Sequence, residues 1–205
     1  MKRIHIVVVA LMLLCGPLLG CGGGENSEPN SFERKVYVGA LQGSNAMVAM
    51  VWENEKVSLY VCGHESSLKL YTRWYHGNMS STADSFSLLG GEWGSQGTVV
   101  GDSVNGSLQA PMGSEHPFIL KAVAAGTISN LYSVIDSGCR TGVIVAQSLD
   151  GADTIVQGAW CNDTGMVKQV TPMTPIALGE NGLGVTVLTD DGHKELFVQA
   201  HHIAP

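Results

Sequence analysis

Short runs of β-forming residues, separated by Gly, Asn, Asp and Ser, fill the chain from Val36 to its end. Such punctuated runs are typical of β-strands joined by tight turns. Residues 129–136 are an exception, because Leu131, Val134 and Ile135 recur at helical spacing and predict one or two helical turns. The predicted strands cover residues 36–42, 46–53, 57–63, 68–76, 85–89, 96–101, 106–110, 117–124, 140–147, 154–161, 166–171, 184–189 and 194–201.

Two of these strands differ in how their apolar positions are arranged. Residues 46–52 are apolar at almost every position, which predicts a strand that is covered on both faces or that closes a filled barrel. Residues 195–202 alternate, with Leu196 and Val198 on one face and His201 on the other, which predicts that the second face meets water.

Turn signals support a simple antiparallel connection between neighbouring strands. The pairs Asp150-Gly151 and Asp191-Gly192 lie between β-like runs, and Gly tolerates the positive φ that hairpin turns need. Many short strands without a long helix favour an all-β fold. We therefore expect an antiparallel meander that forms either a small barrel or a sandwich, and the pattern does not choose between them.

The first twenty-one residues have a different character. Lys2 and Arg3 precede an apolar run from Ile4 to Leu19, which is the pattern of a secretory signal. The run is short for a membrane span, which needs about 20 apolar residues. The string Leu18-Leu19-Gly20-Cys21 resembles the lipobox of bacterial lipoproteins, in which signal peptidase II cuts just before the cysteine. The resemblance implies that Cys21 becomes the acylated N-terminus, carrying fatty acids such as palmitate.

This interpretation divides the chain into three parts. Residues 1–20 are the signal peptide, residues 21–34 are the lipidated Cys and a flexible tether, and residues 35–205 are a single β domain. The tether is rich in Gly, Ser, Asn and Glu and reaches roughly 20 Å on average. The resemblance implies a cell-envelope protein, held outside the cytoplasm by its lipid, in the outer membrane if the organism has one.

Charge narrows the range of partners. The whole chain has a formal charge of −7, and removing Lys2 and Arg3 with the leader takes it to −9. Nucleic acids bind to clusters of Lys and Arg, so an acidic body argues against them. The acidic body also argues against electrostatic binding to anionic lipids, so we expect the acyl chains alone to attach the protein to the membrane. The sequence contains no phosphate-binding loop and no zinc or calcium motif, so we expect no cofactor and no metal.

The cysteines predict one disulfide. Cys15 lies in the leader and Cys21 is consumed by lipid, which leaves Cys62, Cys139 and Cys161 in an oxidising compartment. A hairpin that turns at Asp150 would place Cys139 opposite Cys161, at a spacing that suits a disulfide. Cys62 is then a small buried apolar residue. The alternative is a bond between Cys62 and Cys139.

Two short strings resemble the catalytic blocks of GDSL hydrolases, namely Gly101-Asp102-Ser103 and Asp190-x-x-His193. That family places its nucleophile on a strand that leads into a helix, whereas Ser103 precedes a sequence typical of a β turn. Nucleophilic catalysis needs a base within hydrogen-bond reach, and nothing in the pattern brings His193 to Ser103. We therefore expect no catalytic residues, and a secreted hydrolase with a non-standard Ser/His site is the alternative.

One strand carries a candidate binding face. Tyr71, Arg73 and Tyr75 share one side of the predicted strand 68–76, and such side chains combine apolar area with polar groups. The runs VSLYVCGHE, RWYHG, LYS and TGVIVAQSLDG resemble those of uncharacterised secreted bacterial β proteins, which implies the fold but no activity. We expect a non-catalytic module that binds a small ligand or a protein partner.

Overall fold

The computed structural model describes residues 34–80, 82–148 and 150–204. The predicted signal peptide, Cys21 and residues 22–33 of the predicted tether lie outside these residues. The secondary structure comprises strands β1 (Lys35–Leu41), β2 (Met47–Glu53), β3 (Lys56–Cys62), a 3-10 turn (Glu65–Ser67), helix α1 (Leu68–Tyr71), and strands β4 (Arg73–Asn78), β5 (Ser85–Gly90), β6 (Trp93–Val100), β7 (Ser103–Gln109), β8 (Glu115–Ala122), β9 (Asn130–Asp136), β10 (Cys139–Gln147), β11 (Thr154–Cys161), β12 (Val167–Pro172), β13 (Leu178–Gly179), β14 (Gly182–Thr189) and β15 (Gly192–Ala200).

The first eight strands form a closed antiparallel barrel, which we call barrel 1. Each strand pairs with the next along the chain, and β8 returns to pair with β1. The register across the closing pair places Gly39 opposite Leu120. Closure leaves no free sheet edge in these eight strands, which removes the surface on which another strand could add.

Aromatic rings and glycines are matched inside barrel 1. Phe86, Gly97, Gly106 and Phe118 lie side by side on neighbouring strands β5 to β8. A Cβ at Gly97 would lie 2.6 Å from the Phe86 ring, and a Cβ at Gly106 would lie 2.5 Å from the Phe118 ring. The two glycines therefore provide the space that the two rings fill, and barrel 1 has a packed interior.

The remaining strands form a second, smaller ring, which we call barrel 2. Its order is β12, β11, β10, β9, β15, β14, and pairing of β12 with β14 closes it. The short strand β13 adds to β14 at the side. Tyr132, Val143, Trp160, Val185 and Val198 are among the buried residues that fill this ring.

A third apolar cluster joins the two barrels. Along β2, Val48 and Met50 point into barrel 1, whereas Met47, Ala49 and Val51 point outward to barrel 2. Barrel 2 contributes Leu131, Ile144 and Ala159 to this cluster. The prediction that residues 46–52 form a strand covered on both faces is confirmed.

We call the contact between barrel 1 and barrel 2 the joint. At the joint, the backbone of β10 approaches barrel 1 closely because β10 carries a glycine. A Cβ at Gly142 would lie 2.6 Å from the Tyr60 ring and 2.9 Å from the Trp74 ring. The Trp74 indole N–H donates a hydrogen bond of 3.2 Å to the Arg140 carbonyl oxygen on the same strand. Packing and a directional hydrogen bond therefore both fix barrel 2 against barrel 1.

The prediction of an all-β antiparallel fold is confirmed. The sequence left open whether the strands form a barrel or a sandwich, and the structure has closed barrels. The helical prediction for residues 129–136 is wrong, because this segment is β9 and lies between β10 and β15. Leu131 and Tyr132 are both buried, on opposite faces of that strand. Conversely, residues 68–71 form α1 and not the start of a strand.

Gly142→Ala should destabilise the protein by about 1–3 kcal/mol, because the added methyl group would lie 2.6 Å from the buried Tyr60 ring and 2.9 Å from the partly buried Trp74 ring. Gly179→Ala is the matched control, since the nearest atom to its Cβ would be 3.8 Å away. The control should be neutral or slightly stabilising. Urea denaturation of both variants measures the difference, and equal stability of the two would contradict the close approach at Gly142.

Candidate functional site

The three residues of the predicted binding face do not form an exposed surface. Tyr75 is fully buried and Tyr71 is 9% exposed, and both belong to the core of barrel 1. The prediction fails for two physical reasons. Residues 68–71 are helical, so Tyr71 is not in strand register with Tyr75, and closure of the barrel turns this side of β4 inward.

Arg73 covers one end of barrel 1 instead. Its guanidinium lies 4.3 Å from the centre of the Trp93 ring, and its Nη2 donates a hydrogen bond to the Leu70 carbonyl oxygen. Trp93 in turn stacks on His116, whose ring meets Tyr71 edge to face. At this end of barrel 1 the rings and the guanidinium therefore pack against one another.

A cleft of about 670 Å³ lies outside the barrels, where the two meet. One wall is the outer face of β1 with the turn that follows it, and the other is formed by the ends of β10 and β11. The segment that connects β8 to β9 completes the cleft. Its lining is mainly small and apolar, with Val38, Gly39, Ala40, Ala46, Met47, Ala122, Val123, Ala124, Ala146 and Ile155.

Polar groups of the cleft tie the two walls together. Gln157 on β11 is 6% exposed, and its Nε2 donates hydrogen bonds to the carbonyl oxygens of Asn45 and Cys62 on barrel 1. Ser129 Oγ accepts a hydrogen bond of 2.9 Å from the backbone N–H of Gln147. The Gln157 bonds connect the two walls independently of any ligand, and the Ser129 bond joins the segment before β9 to β10.

The structure does not bring the GDSL-like residues together. Ser103 lies on β7 of barrel 1, whereas His193 lies on β15 of barrel 2. The partner of Ser103 is Lys121, whose Nζ donates a hydrogen bond of 2.7 Å to the serine Oγ. Asp190 pairs with Lys168 at 3.4 Å. No Ser–His–Asp relay is present at these positions in the described part of the chain.

The structure places Cys139 and Cys161 at disulfide-bonding distance, with Cα atoms 5.5 Å apart, as predicted. The hairpin register behind the prediction is shifted by one residue, since Val145 faces Val156 and Gly142 faces Ala159. Cys161 Sγ lies 3.5 Å from the Arg140 carbonyl oxygen, and the bond joins strands just beyond their paired region. Cys62 is free and buried, and burial raises its thiol pKa to about 12.

Sequence reasoning missed the role of two adjacent histidines, His201 and His202, which lie on the other side of the joint. His201 follows β15, is 1% exposed and lies with its ring 4.8 Å from that of Trp74. Its Nδ1 is 2.9 Å from Ser133 Oγ, and its Nε2 is buried without a partner in the described residues. Burial first, and then the positive charge of Arg140, lower the His201 pKa to about 4. The expectation that His201 faces water is wrong.

The chain segment after β15 explains this burial. His202 Nδ1 lies 3.1 Å from Glu53 Oε1, and the backbone N–H of Ile203 donates to Glu53 Oε2 at 3.0 Å. Hydrogen bonds from these residues lower the Glu53 pKa although burial opposes the shift. The segment crosses from barrel 2 to barrel 1, so His201 is covered by both barrels. A clue in the sequence would have been the adjacent pair His201-His202, which breaks strand alternation.

Comparisons with protein-family models, curated proteins and solved structures found no match to this chain. Within residues 34–80, 82–148 and 150–204, no group of three or more His, Cys, Asp or Glu side chains is arranged to hold a metal ion. No helix among those same residues has the length and hydropathy needed to cross a bilayer. The cleft between the barrels is the candidate site because of its size and its apolar lining.

Stability should fall as the pH drops from about 7 to about 5, because the unfolded chain binds a proton at His201 that the folded chain excludes. The His201 pKa is about 4 in the folded protein and 6.5 in the unfolded chain. The stabilising contribution of the neutral His201 is therefore complete above pH 6.5 and is lost as the pH falls toward 4. The loss by pH 5 is about 2 kcal/mol. His201→Asn should flatten the pH dependence and His193→Asn should not, as measured by urea denaturation. An unchanged slope in His201→Asn would contradict the prediction.

Proposed function

We propose that this protein is a lipid-anchored extracytoplasmic lipoprotein whose two-barrel body binds a small, largely apolar ligand without chemical conversion. The observation that carries the proposal is the cleft of about 670 Å³ between the barrels. Ligand sites are commonly preformed apolar cavities of about 300–1,000 Å³ with a few polar groups at fixed positions. The cleft has this size and this lining.

The packed barrel interiors support the same assignment. Apolar side chains from all eight strands, together with Tyr71 of α1, fill barrel 1. A second cluster of apolar side chains fills barrel 2. A ligand therefore finds apolar surface between the barrels and not within them. Ile155 is exposed at the cleft wall although it is a large apolar residue, with 58% of its surface accessible. Such a residue gains free energy when a ligand covers it.

The anchor is supported by the resemblance of residues 18–21 to a lipobox, and the acidic body offers no basic surface for docking to anionic lipid instead. One acyl chain binds membranes only marginally, whereas two or three chains hold a protein stably. The cell envelope follows as the proposed location, with the cleft open to ligands on the extracytoplasmic side.

Ile155→Asn should weaken binding of a neutral apolar dye such as Nile red, because it removes apolar surface from the cleft wall. Ile135→Asn is the matched control, since Ile135 is 70% exposed on β9 and does not line the cleft. Dye fluorescence titrated against each variant gives the affinities. An affinity loss of about 5- to 20-fold is expected for Ile155→Asn alone. Equal affinities for both variants would contradict binding in the cleft.

Cys21→Ser should abolish lipidation, because Cys21 is the acylation site of the proposed lipobox. Cells grown with a radioactive fatty acid should label the wild-type protein and not the variant. The variant should also keep its leader and run as the larger precursor on a gel. Cys15→Ser provides the control within the leader. Equal labelling of wild type and Cys21→Ser would refute the anchor.

A further inference from the structure

We infer that the ligand of the inter-barrel cleft is a single-chain amphiphile with an anionic head group, whose chain lies along the alanine-rich walls and whose head meets Lys121. This inference rests on the proposed function and names the ligand class. It is carried by the charge and by the side-chain sizes of the cleft lining.

Lys121 is the one charged side chain among the described residues that line the cleft. Its Nζ donates a hydrogen bond of 2.7 Å to the neutral Ser103 Oγ on β7, so the side chain has to turn from β7 toward β1 for the ammonium to meet a head group in the cleft. Lys121 belongs to none of the ion pairs found in the described part of the chain, so it has no carboxylate partner there. In a protein with a formal charge of −7, a lysine without a counter-ion beside an apolar cleft favours an anionic ligand group.

The walls suit an unbranched chain better than a compact polar molecule. Ala40, Ala46, Ala122, Ala124 and Ala146 line the cleft, and their methyl groups offer apolar surface without filling the space. Val38 and Ile155 add larger apolar contacts. A methylene chain needs apolar area and no directional partner, which is what these residues provide.

A nearby carboxylate is already engaged by its own turn. Asp150 follows β10 beside the cleft residue Ser148, and it accepts hydrogen bonds from the Ser148 hydroxyl at 2.6 Å and from the Ala152 backbone N–H at 3.1 Å. These bonds lower the Asp150 pKa and keep its oxygens directed into the turn. Asp150 stays charged and is held in its own turn beside barrel 2, whereas Lys121 is the charged residue that lines the cleft.

Dodecanoate and dodecanol provide the test, because they share one chain length and differ in head-group charge. Calorimetric titration of the soluble body, residues 34–205, should show tighter binding of dodecanoate by about two- to fivefold, the range of an exposed ion pair. High salt should reduce that preference. Lys121→Gln should remove the preference for dodecanoate over dodecanol, whereas Lys69→Gln, at an exposed lysine on α1, should keep it.

The outcomes separate the inference from the proposed function. Equal or tighter binding of dodecanol by the wild-type body, or a preference that survives Lys121→Gln, overturns the anionic head group and leaves a neutral apolar ligand. Absence of binding by both compounds overturns the inference and the proposed cleft together. Thermal unfolding of each variant verifies that it is folded, which is expected because Lys121 and Lys69 are both exposed.

Discussion

The packing of β2 and β3 against barrel 2 is the constraint on which the rest of the structure depends. A strand in a barrel wall has one face committed to the interior, and β2 is apolar on its other face as well. That outer face would cost hydrophobic free energy if it met water. Barrel 2 covers it, and the approach is close because Gly142 places backbone against the rings of Tyr60 and Trp74.

The joint also creates the two features that distinguish this molecule from a pair of separate barrels. Two convex surfaces in contact leave gaps at the edges of their contact, and the cleft near Gln157 lies in one such gap. The histidine His201 lies at another part of the contact, where its desolvation lowers its pKa. The proposed ligand binding and the predicted acid sensitivity therefore both depend on one interface, although they involve different side chains.

Local pattern predicted most of the strands, because alternation and turn residues are properties of a few neighbouring positions. The secondary structure predicted for segments 68–71 and 130–136 was wrong. A pattern of four to seven residues is too short to distinguish helix from strand, and contacts with distant segments decide which one forms. The Cys139–Cys161 pair was found despite a register shifted by one residue. The cleft was not predictable, because its walls come from distant segments and no local pattern encodes their meeting.

Arg34 links the beginning of the described chain to its end. Its guanidinium donates to the His201 carbonyl oxygen at 3.0 Å and to Asn130 Oδ1 at 2.8 Å, and β1 of barrel 1 starts at the next residue. A mechanical force applied at this arginine is therefore transmitted to β1, β9 and the segment after β15 at once. A pull on this residue therefore loads barrel 1 through the backbone of β1 and barrel 2 through the side-chain hydrogen bonds.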